Sequence, residues 1–173
     1  MMQPFLVAID SGLNEAFAKL KRALDGLSED ELHWRPALES NTIDWMVWHM
    51  ARVEDNWINM QLRKSESIWD RDGWAARCGV EEPTNGFGQG AEDIRAMPAF
   101  DVPKVMEYYS AVRKGTTEYF TNEMQESDLT IEITHPRYDP VNYAWVLGHL
   151  LCEEAEHLGQ IEYLRGMMRG LNG

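Results

Sequence analysis

From Tyr143 to Arg169 the chain carries one unbroken amphipathic pattern, with no proline and no turn signal before Gly170. A segment this long and regular has to be a helix, and its apolar stripe needs other helices to cover it. The stripe reads Tyr143, Leu147, Leu150, then Glu153 or Glu154, then His157, Ile161, Leu164 and Met168. A carboxylate and an imidazole thus take places where a bundle helix normally carries aliphatic side chains. Burying an uncompensated carboxylate costs several kcal/mol, so the pattern demands a partner. A metal ion shared with His49 on another helix meets that demand.

Three further segments supply the covering helices. Leu6, Ile9, Leu13, Ala16, Leu20, Ala23 and Leu27 repeat with heptad-like spacing and predict a helix that ends near Gly26. Ser28 to Glu31 has the pattern of a capping box, and Trp34-Arg35-Pro36 closes the short turn it starts. Ser40-Asn41-Thr42 offers cap oxygens, with Asp44 in the first turn, for a second long helix reaching about Arg63. Its seam is Ile43, Met46, Met50, Val53, Trp57 and Met60. Beside the seam runs a stripe of Trp45, His49, Arg52 and Asn56, placed to line a cavity at the edge of the buried face. Asp101 caps a third long helix, with Pro103 in its first turn and an end near Glu123. Its seam is Val102, Val105, Tyr109, Val112, Thr116 and Tyr119. The stretch 126–140 reads as irregular and briefly extended. Four seams with no strand pattern between them predict an all-α four-helix bundle, with residues 1–173 as one domain.

Residues 64–100 show no sustained period. Their aromatic residues, Trp69, Trp74, Phe87 and Phe100, favour a segment packed over something. The glycines of Asn85-Gly-Phe-Gly-Gln-Gly90 do not make a phosphate loop, because no strand precedes them and no Gly-Lys-Ser/Thr follows. They read as a flexible loop.

The net charge of −13 leaves no basic stripe to neutralise phosphates, which argues against a nucleic-acid partner. No segment has the length and apolarity of a membrane span. The start, Met1-Met2-Gln3-Pro4, lacks the basic and apolar regions of a secretion signal, so the expected compartment is the cytoplasm. Cys78 and Cys152 are too far apart to form a metal-binding spacing, and Cys152 reads as a small buried hydrophobe.

His49, Glu153 and His157 are the chemically interesting set. Residues four apart share a helix face, and two imidazoles with one carboxylate are a common ligand set for catalytic zinc and other divalent metals. Spacing alone does not choose between Glu153 and Glu154, since both face His157. His149, four residues before Glu153, could be a fourth ligand or line the cavity. Arg52, Asn56 and Gln160 are further candidate cavity groups. His33 reads as a surface residue. His135 reads as a loop residue able to reach the mouth of a site. The bland alternative is a solvated acidic edge on the fourth helix, with Arg165 or Arg52 as its partner.

Asn41-Thr-Ile-Asp-Trp-Met-Val-Trp-His49-Met-Ala-Arg-Val-Glu54, with Trp57 after it, resembles the second helix of the DinB/YfiT-like family of metalloenzymes. His149-Leu-Leu-Cys-Glu153-Glu-Ala-Glu-His157-Leu-Gly-Gln160 resembles its last helix, and Trp69 with Gly73-Trp74 its central segment. The resemblance implies up-down-down-up connectivity, a homodimer, and nickel or zinc held by one histidine of the second helix and two residues of the fourth. Many members carry histidine at both fourth-helix positions. Here the first is Glu153, as in relatives similar to mycothiol-dependent isomerases, and this selects Glu153 over Glu154. Characterised relatives transfer or isomerise with mycothiol, bacillithiol or glutathione. The implied function is metal activation of such a thiol toward a small-molecule electrophile. A metal-dependent hydrolase, or a non-catalytic metal-binding or stress-response protein, is the alternative.

Overall fold

The computed structural model describes residues 2–80, 85–135, 137–138 and 140–170. Met1 of the secretion-signal argument, and Pro136 and Asp139 of the irregular connection, lie outside the described residues. Four long helices carry the molecule: α1 (Pro4–Leu24), α3 (Ile43–Asp55, continued by a π-helical turn over Asn56–Leu62), α7 (Val102–Asn122) and α8 (Tyr143–Arg169). Short helices fill the connections: α2 (Glu29–Leu32), α4 (Ile68–Arg71), α5 (Trp74–Cys78) and α6 (Ala91–Ala96). Before α8 a 3-10 turn at Glu126–Thr130 leads into a small hairpin in which β1 (Glu132–Ile133) pairs antiparallel with β2 (Val141–Asn142).

The caps expected at Ser28, Thr42 and Asp101 are in place, and Asn142 adds one at the start of α8. Ser28 and Glu31 form the capping box of α2. Thr42, Asp101 and Asn142 each accept a backbone N–H at the start of α3, α7 and α8. Each removes an orphan donor that a buried helix end could not leave bare.

Side-chain pairs give the helix directions. Gly12 packs on Leu151, and the Ala23 carbonyl accepts from Arg165 at 2.9 Å, so α1 and α8 run parallel. Asp10 meets Arg113 while Phe17 meets Tyr109, so α1 and α7 are antiparallel. Asp44 accepts from the Phe100 N–H at 3.0 Å and Glu54 from Arg113, so α3 and α7 are parallel. His49 faces Glu153 while Tyr143 donates to the Leu62 carbonyl at 2.8 Å, so α3 and α8 are antiparallel. The order is up-down-down-up.

Two parallel neighbours in sequence need a long return path. A helix of 21 residues such as α7 spans roughly 30 Å, and the chain leaving α3 must climb back that far before α7 begins. The segment between α3 and α7 makes this climb, which explains its length. Where described it packs on the bundle, as its aromatic residues suggest, with Trp69, Trp74 and Phe100 in the core, and Asp55 pins its start. Its buried carboxylate accepts from Ile68 N–H and Trp69 N–H, both at 2.9 Å, and from Tyr108 OH at 2.7 Å.

The core has two apolar halves. One surrounds Trp48, Trp69, Tyr108 and Phe100; the other surrounds Leu6, Trp57, Phe120 and Leu150. Between them lies a polar layer. Arg113 donates to Glu54 at 2.5 Å and to Asp10 at 2.8 Å, Thr116 donates to Glu54 at 2.5 Å, and Tyr109 donates to Glu154.

Candidate metal centre

The second long helix differs from the one-faced helix its seam suggests. Every residue from Ile43 to Asp55 is buried, because α7 and α8 pack along it and α2 and α4 cover it further. His49 therefore reaches the centre of the molecule without leaving the helix axis exposed. At Asn56 the backbone widens to π-helical turns, which advance each side chain less around the axis than an α-turn does. The seam slips accordingly: Ile58 and Leu62 are buried, and Met60, expected inside, is 40 % exposed.

On α8 the adjacent carboxylates divide. Glu154 takes the core position, 1 % exposed, with Leu158 one turn later. Glu153 and His157 lie on the neighbouring edge, which faces His49. Glu153 Oε1 lies 3.2 Å from His49 Nε2 and 3.4 Å from His157 Nε2. The hydrogen bonds from His157 and then His49 hold the Glu153 carboxyl well below the usual carboxylate range. One ligand atom from each of the three residues lies within 4.8 Å of the others.

The outer nitrogens are also occupied. His49 Nδ1 meets the Asn85 carbonyl, and His157 Nδ1 lies 2.9 Å from Gln160 Oε1. A carbonyl oxygen only accepts, so His49 Nδ1 carries the hydrogen and Nε2 presents its lone pair when the ring is neutral. Each imidazole thus has an oxygen at both ring nitrogens, so positive charge, from ring protonation or from a bound cation, must join the two Nε2 atoms to the carboxylate. This donor set, two imidazole nitrogens and one carboxylate oxygen, fits a divalent cation such as zinc or nickel.

A cavity of about 420 Å³ opens beside the set. His49 and Glu153 stand on its wall, together with Asn56, Gln61, His135 and His149. Its aromatic side is Trp45, Trp57, Phe87 and Tyr138. His149 is stacked on Trp145 at 4.6 Å, with its Nε2 3.9 Å from Glu153 Oε2, so it lines the cavity and stays outside the three-residue group. His135 reaches the mouth, its ring 4.9 Å from Trp57 and 5.2 Å from Tyr138, and burial lowers its pKa.

Several expected groups sit elsewhere. Arg52, a candidate cavity group, is 4 % exposed but is not among the residues that line this cavity. It packs over the Trp69 ring and approaches Asp55 at 3.9 Å. Arg165 donates to the carbonyls of Ala23 and Asp25. Gln160 steadies His157 and does not line this cavity. His33 is exposed, as expected, and its ring Nδ1 donates to buried Asp44 at 2.8 Å, which ties α2 to α3. Cys152 is exposed, because it lies on the far side of α8 from Leu150, while Cys78 is the buried thiol. Asn85 and Gly86, read from the sequence as part of a flexible loop, instead approach His49, and no sequence signal sets this glycine apart from its neighbours.

Comparison with known proteins places these features in context. A family model described as mycothiol-S-transferase matches residues 8–170. A crystal structure of a conserved protein from Enterococcus faecalis has the same fold, with a TM-score of 0.82 at 21 % identity over 98 % of this chain and 99 % of that one. Among curated proteins, none matches.

Proposed function

Since the chain belongs to the mycothiol-S-transferase family, a DinB/YfiT-like family, we propose that it transfers a low-molecular-weight thiol to a small-molecule electrophile. The thiol is of the mycothiol, bacillithiol or glutathione type. The site is the His49, Glu153, His157 group with zinc or nickel bound. The observation that carries this reading is the convergence of two Nε2 atoms on Glu153 Oε1, at 3.2 and 3.4 Å, on the edge of a cavity walled in part by aromatic rings.

A divalent cation there supplies the charge that favours thiolate over thiol near neutral pH. The protein's own groups do the rest. The Asn85 carbonyl and Gln160 hold the two imidazoles with Nε2 inward. Trp57, Phe87 and Tyr138 offer ring faces that exclude water and hold an apolar electrophile beside the thiol. Asn56 and Gln61 supply the polar groups that orient it. The transfer forms a carbon–sulfur bond and breaks the bond to the leaving group, or opens an epoxide ring. The thiol proton passes to solvent. In this reading the protein is a cytoplasmic homodimer without a nucleic-acid or membrane partner. Among the described residues, no helix is long and apolar enough to cross a membrane.

The test is to incubate metal-loaded protein with each thiol and a chlorinated or epoxide electrophile, and to measure the thioether. Product that disappears in His49→Ala supports the transferase. Retained metal with no turnover across a broad panel favours a metal-binding protein instead, and hydrolysis without thiol favours a hydrolase.

A further inference from the structure

The crossover meets the candidate metal centre at the Asn85–Gly86 peptide. Gly86 has φ +86°, and the Asn85 carbonyl just before it meets His49 Nδ1. A Cβ on Gly86 would lie 2.8 Å from His49 Nδ1, 2.8 Å from Trp45 Cζ2 and 3.2 Å from Trp48 Cζ3. Only a residue without a side chain brings the backbone this close. The turn is held from both sides. Gln89 N–H donates to the Gly86 carbonyl at 3.2 Å, and Gln89 Oε1 accepts from Trp45 Nε1 at 3.2 Å. His49 itself is stacked flat on Trp45 at 4.7 Å. The same turn carries Phe87 and Gly88 into the cavity wall.

We propose that the Asn85–Gly86 peptide is a positioning element of the metal centre, fixing His49 with Nε2 inward and tying metal affinity to the wall that closes the cavity. This rests on the metal reading above. A metal-ligating histidine whose outer N–H loses its acceptor typically loses 10–100-fold in metal affinity. The coupling is reciprocal: whatever the turn contributes to metal binding, the metal returns to the turn.

Gly88 provides the control. It has φ +79°, so alanine there carries similar backbone strain, yet its added Cβ meets nothing within 4 Å. Zinc dissociation constants are measured by chelator competition for the wild type, Gly86→Ala and Gly88→Ala, and amide hydrogen exchange at residues 85–90 is followed with and without zinc. The expected result is affinity about tenfold or more weaker in Gly86→Ala and nearly unchanged in Gly88→Ala. Zinc slows exchange in the turn of the wild type and of Gly88→Ala, and does so less in Gly86→Ala. Equal affinities in all three proteins, or equal losses in both variants, overturn the proposal while leaving the metal reading intact. A wild type that binds no zinc, nickel or other divalent metal overturns both. If Gly86→Ala does not fold, Gln89→Ala releases the turn from Trp45 without adding an atom. Weakened zinc affinity there supports the coupling, and unchanged affinity overturns it.

Discussion

Tyr109 donates its phenolic hydrogen to Glu154 inside the bundle, one residue beyond the carboxylate that joins His49 and His157. The two glutamates thus have opposite electrostatics. The imidazoles hold Glu153 ionised, whereas burial and then the nearby Glu54 push Glu154 up to about 8.

That shift has a sign. Glu154 is raised above its unfolded value of about 4.3, so the stability it contributes as a neutral acid is full below that pH and is lost as pH rises toward 8. Wild-type stability should fall over this window through the ionisation of Glu154. Glu154→Gln, which stays neutral, should show a shallower decline. Urea unfolding at a series of pH values measures both slopes, and superimposable slopes would refute the assignment.

Asp55 holds the crossover against α3. Asp55→Ala strands the N–H groups of Ile68 and Trp69 and the hydroxyl of Tyr108, all of which donate to it now. The expected loss is about 3–5 kcal/mol in chemical denaturation, the scale of breaking a buried charged network from one side. A loss under about 1 kcal/mol would show that the crossover stays in place without this anchor.

The two thiols should react very differently. Cys152 is exposed, while burial of Cys78 pushes its thiol up to about 11. Ellman's reagent at pH 8 should therefore label one thiol quickly in the native protein and the second only after denaturation. Cys152→Ser should abolish the fast phase. Two fast equivalents in the native wild type would contradict the burial of Cys78.

Much of the bundle is readable from the chain because periodicity reports which face of a helix is covered. The seams of α1 and α7 and the caps Thr42 and Asp101 are local signals, and they appear where the spacing puts them. Periodicity does not resolve neighbours on one helix. Glu153 and Glu154 differ by a single step of about 100°, and only the position of His49 separates them. The π-turn at Asn56–Leu62 leaves no mark on the apolar pattern, which is why Met60 faces out. The order of the crossover is equally invisible, because Asp55, His49 and Trp45 fix it from a distant helix. A glycine chosen for close approach looks the same in sequence as one chosen for looseness.

The most direct test of the account is elemental analysis of protein purified without an affinity tag. The wild type should carry about one zinc or nickel per chain, and Glu153→Ala should lose most of it while remaining folded by circular dichroism. A folded wild type that cannot be loaded with any divalent metal would contradict the claim that a cation joins His49, Glu153 and His157.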